Sequence, residues 1–195
     1  LVPSDYDNDK NQGLNIDSPQ ALLVAELFGA KDAASFLVGG PNHLAAYWAG
    51  GPFVGQFGGR KAGSYLHLAS YQPPEGAPYV YGATDLGTLI AYRAAPRRPD
   101  EVIALDSPWS QYTGEKPTAL WAGDSDGDGD GEVWLGTGSG TVLAYGAATG
   151  ELLVRSAATG SAVVGLAREG SRMLVAHGDG AVEEVGLGPG ATDEQ

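Results

Sequence analysis

Short apolar runs recur along the chain, and glycine-rich turns separate them. The most regular stretch is Val133-Trp134-Leu135-Gly136-Thr137-Gly138-Ser139-Gly140-Thr141-Val142-Leu143-Ala144-Tyr145. It is an apolar run, a glycine turn and a second apolar run closing on an aromatic residue, the pattern of a β-hairpin. Residues 79–92 repeat it, with Gly87 matching Gly140 and Tyr92 matching Tyr145. Weaker copies run from Phe36 to Tyr47 and from Met173 to Val185. The copies stand roughly 40 to 53 residues apart, the period of β-propeller blades, each a four-stranded antiparallel sheet.

Each hairpin supplies the two middle strands of a blade. The apolar runs before the hairpins predict inner strands at 21–25, 65–69, 119–122 and 162–166. Those after them predict outer strands at 53–57, 101–105 and 151–154. Blade faces pack on neighbouring blades, so both faces of a strand are apolar and strict alternation is weak. Ser18 to Phe28 carries a competing helical signal, because Ser18 before Pro19 suits a helix start. Its place just before the first hairpin favours a strand.

The expected fold is therefore all-β, a propeller of about four blades at 16–62, 63–114, 115–160 and 161–188. The last copy has no obvious outer strand. Residues 1–15 are a candidate to complete that blade, and 189–195 are expected to form a flexible tail. A partial propeller is the rival reading.

Composition narrows the chemistry. The 195 residues suffice for one domain with a sizeable core, and 43% are hydrophobic. Thirty-one glycines and 12 prolines suit many short strands and tight turns. A net charge of −13, with Arg60-Lys61 and Arg97-Arg98 the only adjacent basic pairs, argues against nucleic acid and anionic membranes. There is no cysteine, so disulfides and thiolate metal sites are excluded. No apolar run approaches membrane-spanning length. No export signal lies within the chain, which begins Leu1-Val2-Pro3, so a signal removed beforehand stays open.

One segment carries specific chemistry: Asp124-Ser125-Asp126-Gly127-Asp128-Gly129-Asp130-Gly131-Glu132. Carboxylates at alternate positions, with glycines that let the chain curl, suit a hard cation such as calcium. Taking Asp124 as position one, Asp126 and Asp128 stand at three and five, Asp130 at seven and Glu132 at nine. An EF-hand needs an acid at twelve, where Leu135 stands, so that reading fails. The alternative is a solvated acidic turn without metal. Asp5-Tyr6-Asp7-Asn8-Asp9-Lys10-Asn11 starts with the same spacing, but Lys10 replaces the central glycine. Asp5, Asp7 and Asp9 form a weaker second candidate.

Residues 124–137 resemble the calcium loop and following strand of FG-GAP repeats, found in integrin-α-like propellers. Residues 140–153 are similar to a blade of PQQ-like propellers, in which an alanine-threonine-glycine turn leads to the outer strand. The resemblance is strong over 119–155 and moderate over 64–106. It implies the fold well and the function poorly, because such blades serve adhesion, scaffolding and catalysis alike.

Other groups carry less. His43, His67 and His177 fall in different blades, and their spacing demands no cluster. Trp109, Trp121, Trp134 and Tyr112, assigned to the third blade and the connection before it, suit blade packing better than a carbohydrate or peptide platform. Residues 71–78 form a candidate contact loop. No nucleophile motif or phosphate loop is present. The expectation is a non-catalytic, calcium-stabilised, extracytoplasmic propeller that binds protein partners. The alternatives are an accessory subunit of a larger assembly, or a fragment of a quinone-dependent dehydrogenase or polysaccharide-active enzyme.

Overall fold

The computed structural model describes residues 19–25, 35–41, 43–48, 53–57, 63–94 and 105–187. All regular structure among them is β-strand. Four antiparallel sheets follow one another along the chain. The first contains β1 (Ala21–Ala25), β2 (Ser35–Gly40), β3 (His43–Trp48) and β4 (Phe53–Phe57). The second contains β5 (Tyr65–Tyr71), β6 (Tyr79–Thr84), β7 (Thr88–Ala94) and β8 (Leu105–Tyr112). The third contains β9 (Pro117–Gly123), β10 (Glu132–Thr137), β11 (Val142–Gly146) and β12 (Leu152–Arg155). The fourth has three strands among the described residues, β13 (Val163–Glu169), β14 (Arg172–His177) and β15 (Val182–Val185). Every sheet is a simple meander, as a propeller blade requires.

The first strands of the blades form the inner row, where β1 packs on β5, β5 on β9, and β9 on β13. Among the described residues, β13 and β1 do not pack on one another as these pairs do. Three apolar layers fill the gaps between blades. Leu37, Leu44 and Ala46 meet Tyr65, Val80 and Tyr92 between blades one and two. Tyr81, Leu89 and Ala91 meet Val133, Leu143 and Tyr145 between two and three. Trp134, Val142 and Ala144 meet Val163, Met173 and Val175 between three and four. In strand β10 every residue is buried, with Val133 and Leu135 facing one neighbour and Trp134 the other. This double-sided burial is why its sequence reads as a continuous apolar run.

The matched glycines Gly87 and Gly140 occupy one turn. Their φ angles are 74° and 88°, and their amides donate to the carbonyls of Thr84 and Thr137 at 3.0 and 3.1 Å. Gly180 repeats the geometry in blade four, with φ 92° and a 3.0 Å bond to His177. A left-handed residue at this position closes the hairpin at little steric cost only when it is glycine.

The outer strand of blade two differs from expectation. It is β8, Leu105–Tyr112, rather than 101–105; residues 101–104 lie outside the described set. Val102 and Ile103 drew the reading toward an apolar run. The actual edge strand is amphipathic: Trp109 and Gln111 turn partly inward, while Ser107, Pro108, Ser110 and Tyr112 stay exposed. Pro108 is tolerated because an edge strand need not donate on both sides. Trp109 and Tyr112 accordingly belong to blade two and not to the third blade or its approach. Residues 1–15, including Asp5, Asp7 and Asp9, and the tail 189–195 lie outside the described residues.

Candidate metal centre

The loop 124–131 joins β9 to β10, and the two strands hold its ends together, with Gly123 paired to Glu132. Gly127 and Gly129 adopt φ of 88° and 97°, which lets the chain coil inward. Asp side chains then hydrogen-bond the backbone ahead of them, the local habit of Asx turns. Asp124 Oδ1 accepts from the Gly127 amide at 2.6 Å, and Oδ2 from the Gly129 amide at 3.2 Å. Asp126 Oδ1 accepts from the Asp128 amide at 3.2 Å, and Asp128 Oδ1 from the Asp130 amide at 2.8 Å.

This coil brings a carboxylate oxygen from each of Asp124, Asp126 and Asp128 within 4.8 Å of one another. Two oxygens bound to one calcium at 2.3–2.6 Å stand at most about 5 Å apart, so the spacing fits. The donor set is all oxygen and carries three negative charges, which suits a hard divalent cation. Without one, each pair of carboxylates repels by about 1 kcal/mol in water and by several at lower effective dielectric.

Asp130 and Glu132 are not among these three. Glu132 is 3% exposed. Its Oε2 accepts from the backbone nitrogen of Ser125 at 2.7 Å and from the Ser125 hydroxyl. Trp134 Nε1 donates to the same hydroxyl at 3.1 Å. Burial pushes the Glu132 carboxyl up from its usual range; the Ser125 hydrogen bonds oppose this, and Asp126 and Asp128 reinforce it. Glu132 thus belongs to the base of the loop.

Two residues from other blades reach the loop. Tyr71, at the end of β5, directs its hydroxyl toward the Gly129 carbonyl at 3.4 Å. Burial and the carboxylates of Asp124, Glu132, Asp130 and Asp128 raise its pKa. A side chain at Gly131 would collide with the Tyr71 ring. Arg168 of β13 comes near the other side, where a methyl at Gly127 would stand 3.6 Å from its Nη2. No spacing rule in the sequence ties either residue to the loop.

Beside the loop the alanine-threonine-glycine turn folds back, and the Ala147 amide donates to the Gly131 carbonyl at 2.8 Å. Between loop and turn lies an open groove of about 630 Å³. Asp126, Asp128 and Asp130 line it together with Leu152, Leu153 and Leu187.

The remaining candidates do not converge. His43 lies on β3, and its Nε2 is buried with no hydrogen-bond partner among the described residues. His67 lies on β5, its pKa lowered by burial despite a bond to the Pro117 carbonyl, with Lys116 nearby. His177 lies at the turn of blade four. Trp109 is wedged between Tyr81 and Tyr145, while Trp121 and Trp134 pair on the face toward blade four. Tyr112 is exposed on β8.

No protein-family model matches the chain, and no curated protein matches it. Solved structures do. The computationally designed protein Ika4 superposes with a TM-score of 0.63 at 16% identity, over 92% of this chain and 95% of its own. BBS1N, solved in complex with ARL6DN, gives 0.62 at 17% identity, over 89% of this chain and 52% of its own. Sqt1 from Chaetomium thermophilum, solved bound to the N-terminus of ribosomal protein L10, gives 0.64 at 10% identity, over 88% and 46%. The chain thus spans about half the length of most of these structures. At such identities the likeness speaks for the fold, an all-β propeller.

Proposed function

We propose that the chain is a calcium-stabilised, non-catalytic propeller that binds protein partners outside the cytoplasm. The observation that carries this reading is the convergence of Asp124, Asp126 and Asp128 on a loop pinned at both ends. Calcium bound there would offset two of the loop's negative charges and fix the wall of the adjacent groove. That groove pairs acid with exposed leucine, a surface suited to a protein segment that is basic and apolar in turn. Propellers of the same fold, BBS1N and Sqt1, have been solved with protein partners. The loop is read as FG-GAP-like, and extracellular modules of low affinity bind calcium at about 10⁻⁴–10⁻³ M, which motivates the extracytoplasmic assignment.

The test is a thermal melt with calcium and with chelator. At about 1 mM calcium and a Kd tenfold lower, linkage adds about 1.4 kcal/mol. For a chain of this size that raises Tm by about 3–6 °C. Identical melts in calcium and in chelator would overturn the calcium reading. The partner reading is tested separately, by comparing retention of extracellular proteins by the native chain and by Leu153→Asp, which changes the groove and leaves the three carboxylates in place.

A further inference from the structure

We propose that Tyr71 couples the acidic loop to the exposed loop 72–78, so that a cation held by Asp124, Asp126 and Asp128 also holds that second loop in place. The proposal rests on the calcium reading above and concerns what the bound cation does to a neighbouring blade. Tyr71 acts in it as a positioning residue, not as a ligand.

The loop 72–78 has little of its own to hold it. Pro73, Pro74 and Pro78 have no amide proton to donate. Gln72, Pro74, Glu75 and Gly76 are exposed. The Gln72 side chain donates to the carbonyls of Pro73 and Gly76 at 2.9 and 3.3 Å, so both bonds stay inside the loop. The position of the loop is therefore set at its stem, where Tyr71 of β5 pairs with Tyr79 of β6.

Both stem tyrosines lead to one residue of the acidic loop, Gly131. Tyr71 reaches it directly: an added Cβ on Gly131 would stand 2.6 Å from the ring's Cδ1 and Cζ. The Tyr71 hydroxyl meets the Gly129 carbonyl at 3.4 Å, a long contact, so the ring makes the joint rather than the hydroxyl. Tyr79 reaches Gly131 in three steps. Its ring stacks on Tyr81, with centroids 6.1 Å apart and planes 8° apart. Tyr81 Oη donates to the Ala147 carbonyl at 3.1 Å, and the Ala147 amide donates to the Gly131 carbonyl at 2.8 Å. The pairing of Tyr71 with Tyr79 closes this path into a ring of contacts across blades two and three.

The Asp124, Asp126 and Asp128 carboxylates repel one another until a cation sits among them, so the cation changes the free energy of the coil on which Tyr71 rests. A packed contact passes that change to the stem. The coupling is reciprocal: whatever the cation adds to the order of loop 72–78, the ordered loop returns as cation affinity. A partner contact on loop 72–78 thereby becomes calcium-dependent.

The test is hydrogen exchange of the whole chain, read by mass spectrometry with saturating calcium and with chelator. With calcium, segments 71–80 and 124–133 are expected to exchange more slowly, by about fivefold or more, while the β14–β15 hairpin is unchanged. In Tyr71→Ala the slowing at 124–133 remains and that at 71–80 disappears, and titration calorimetry reads calcium binding as several-fold weaker. Tyr71→Phe keeps the ring over Gly131 and should behave as the native chain. Slowing at 124–133 alone, or equal slowing in blade four, would overturn the coupling and leave the calcium reading standing; both results come from the native chain and need no variant. No change in either segment would overturn the calcium reading and the coupling together.

Discussion

Glu132 Oε2 lies 2.7 Å from the backbone nitrogen of Ser125, seven residues earlier, and also accepts from the Ser125 hydroxyl. One buried carboxylate therefore ties the mouth of the acidic loop shut. Asp124, Asp126 and Asp128 converge above it. Glu132→Ala leaves the Ser125 amide and hydroxyl without that acceptor, which costs about 1–3 kcal/mol. The calcium response is expected to survive, because Glu132 stands outside the three carboxylates. Denaturant melts with and without calcium separate the two effects.

Asp124→Asn is expected to do the reverse. The carboxylate accepts from both the Gly127 and Gly129 amides, one on each oxygen. An amide retains one acceptor oxygen and loses the charge. The calcium-induced rise in Tm should fall to a fraction of the native value, with a loss of about 1 kcal/mol even in chelator. A full calcium response in this variant would place the cation elsewhere. Arg168→Ala offers the opposite sign: removing a guanidinium near Gly127 should tighten calcium binding several-fold at low salt, read by titration calorimetry.

The repeat was legible because glycine is needed for two reasons at once. At Gly140, φ is +88°, and an added Cβ would stand 2.5 Å from the Ser161 carbonyl oxygen and collide with the Thr159 hydroxyl. At Gly180 φ is +92°, but nothing lies within 4 Å. Gly180→Ala should therefore cost only the left-handed penalty, about 1–2 kcal/mol. Gly140→Ala should cost more, because the chain leading into β13 must also move. Urea melts of the two variants test this difference, and equal costs would remove the steric half of the argument.

His177 links blade four to pH. Its Nδ1 faces the Ser161 carbonyl at 3.1 Å and its Nε2 the Glu183 carboxylate at 3.1 Å. The Ser161 bond, followed by Glu183 and Asp179, raises the imidazole pKa above its ordinary 6.5, against the effect of burial. The folded state therefore holds the proton more tightly than the unfolded one. This stabilisation is fully present below about pH 6.5 and is lost as pH rises through the folded value. The native chain should lose Tm between pH 6 and 8 relative to His177→Gln. Parallel slopes would show that His177 contributes nothing.

What the sequence hid has physical causes. Alternating carboxylates and glycines announce a cation loop, because the local chain alone makes the Asx turns. Glu132 fits the same spacing, yet its role depends on Ser125 and Trp134 packing behind it. Tyr71 and Arg168 arrive from blades two and four, and no local pattern encodes such meetings. Strand β8 was misplaced because an edge strand buries one side only, through Trp109 and Gln111, while the rule sought an apolar run. The segment 21–25 was rightly preferred as strand on its position in the repeat, since its own residues suit a helix equally well.

Two side-chain donors of blade two meet on one carbonyl of blade three. Trp109 Nε1 donates to Ala147 O at 3.0 Å and Tyr81 Oη donates to it at 3.1 Å. The ring centroids lie 5.8 Å apart in a tilted contact. Ala147 also donates its amide to Gly131, so this turn braces the acidic loop from behind. Tyr81→Phe leaves Ala147 O with the indole donor and should cost about 0.5–1.5 kcal/mol. Trp109→Phe costs more, because it also opens space in the apolar layer. When both are changed, the buried carbonyl loses both side-chain donors. The double variant should then exceed the sum of the singles by about 0.5 kcal/mol or more. A double-mutant cycle from urea melts measures that coupling. Strict additivity would mean that the two donors act independently.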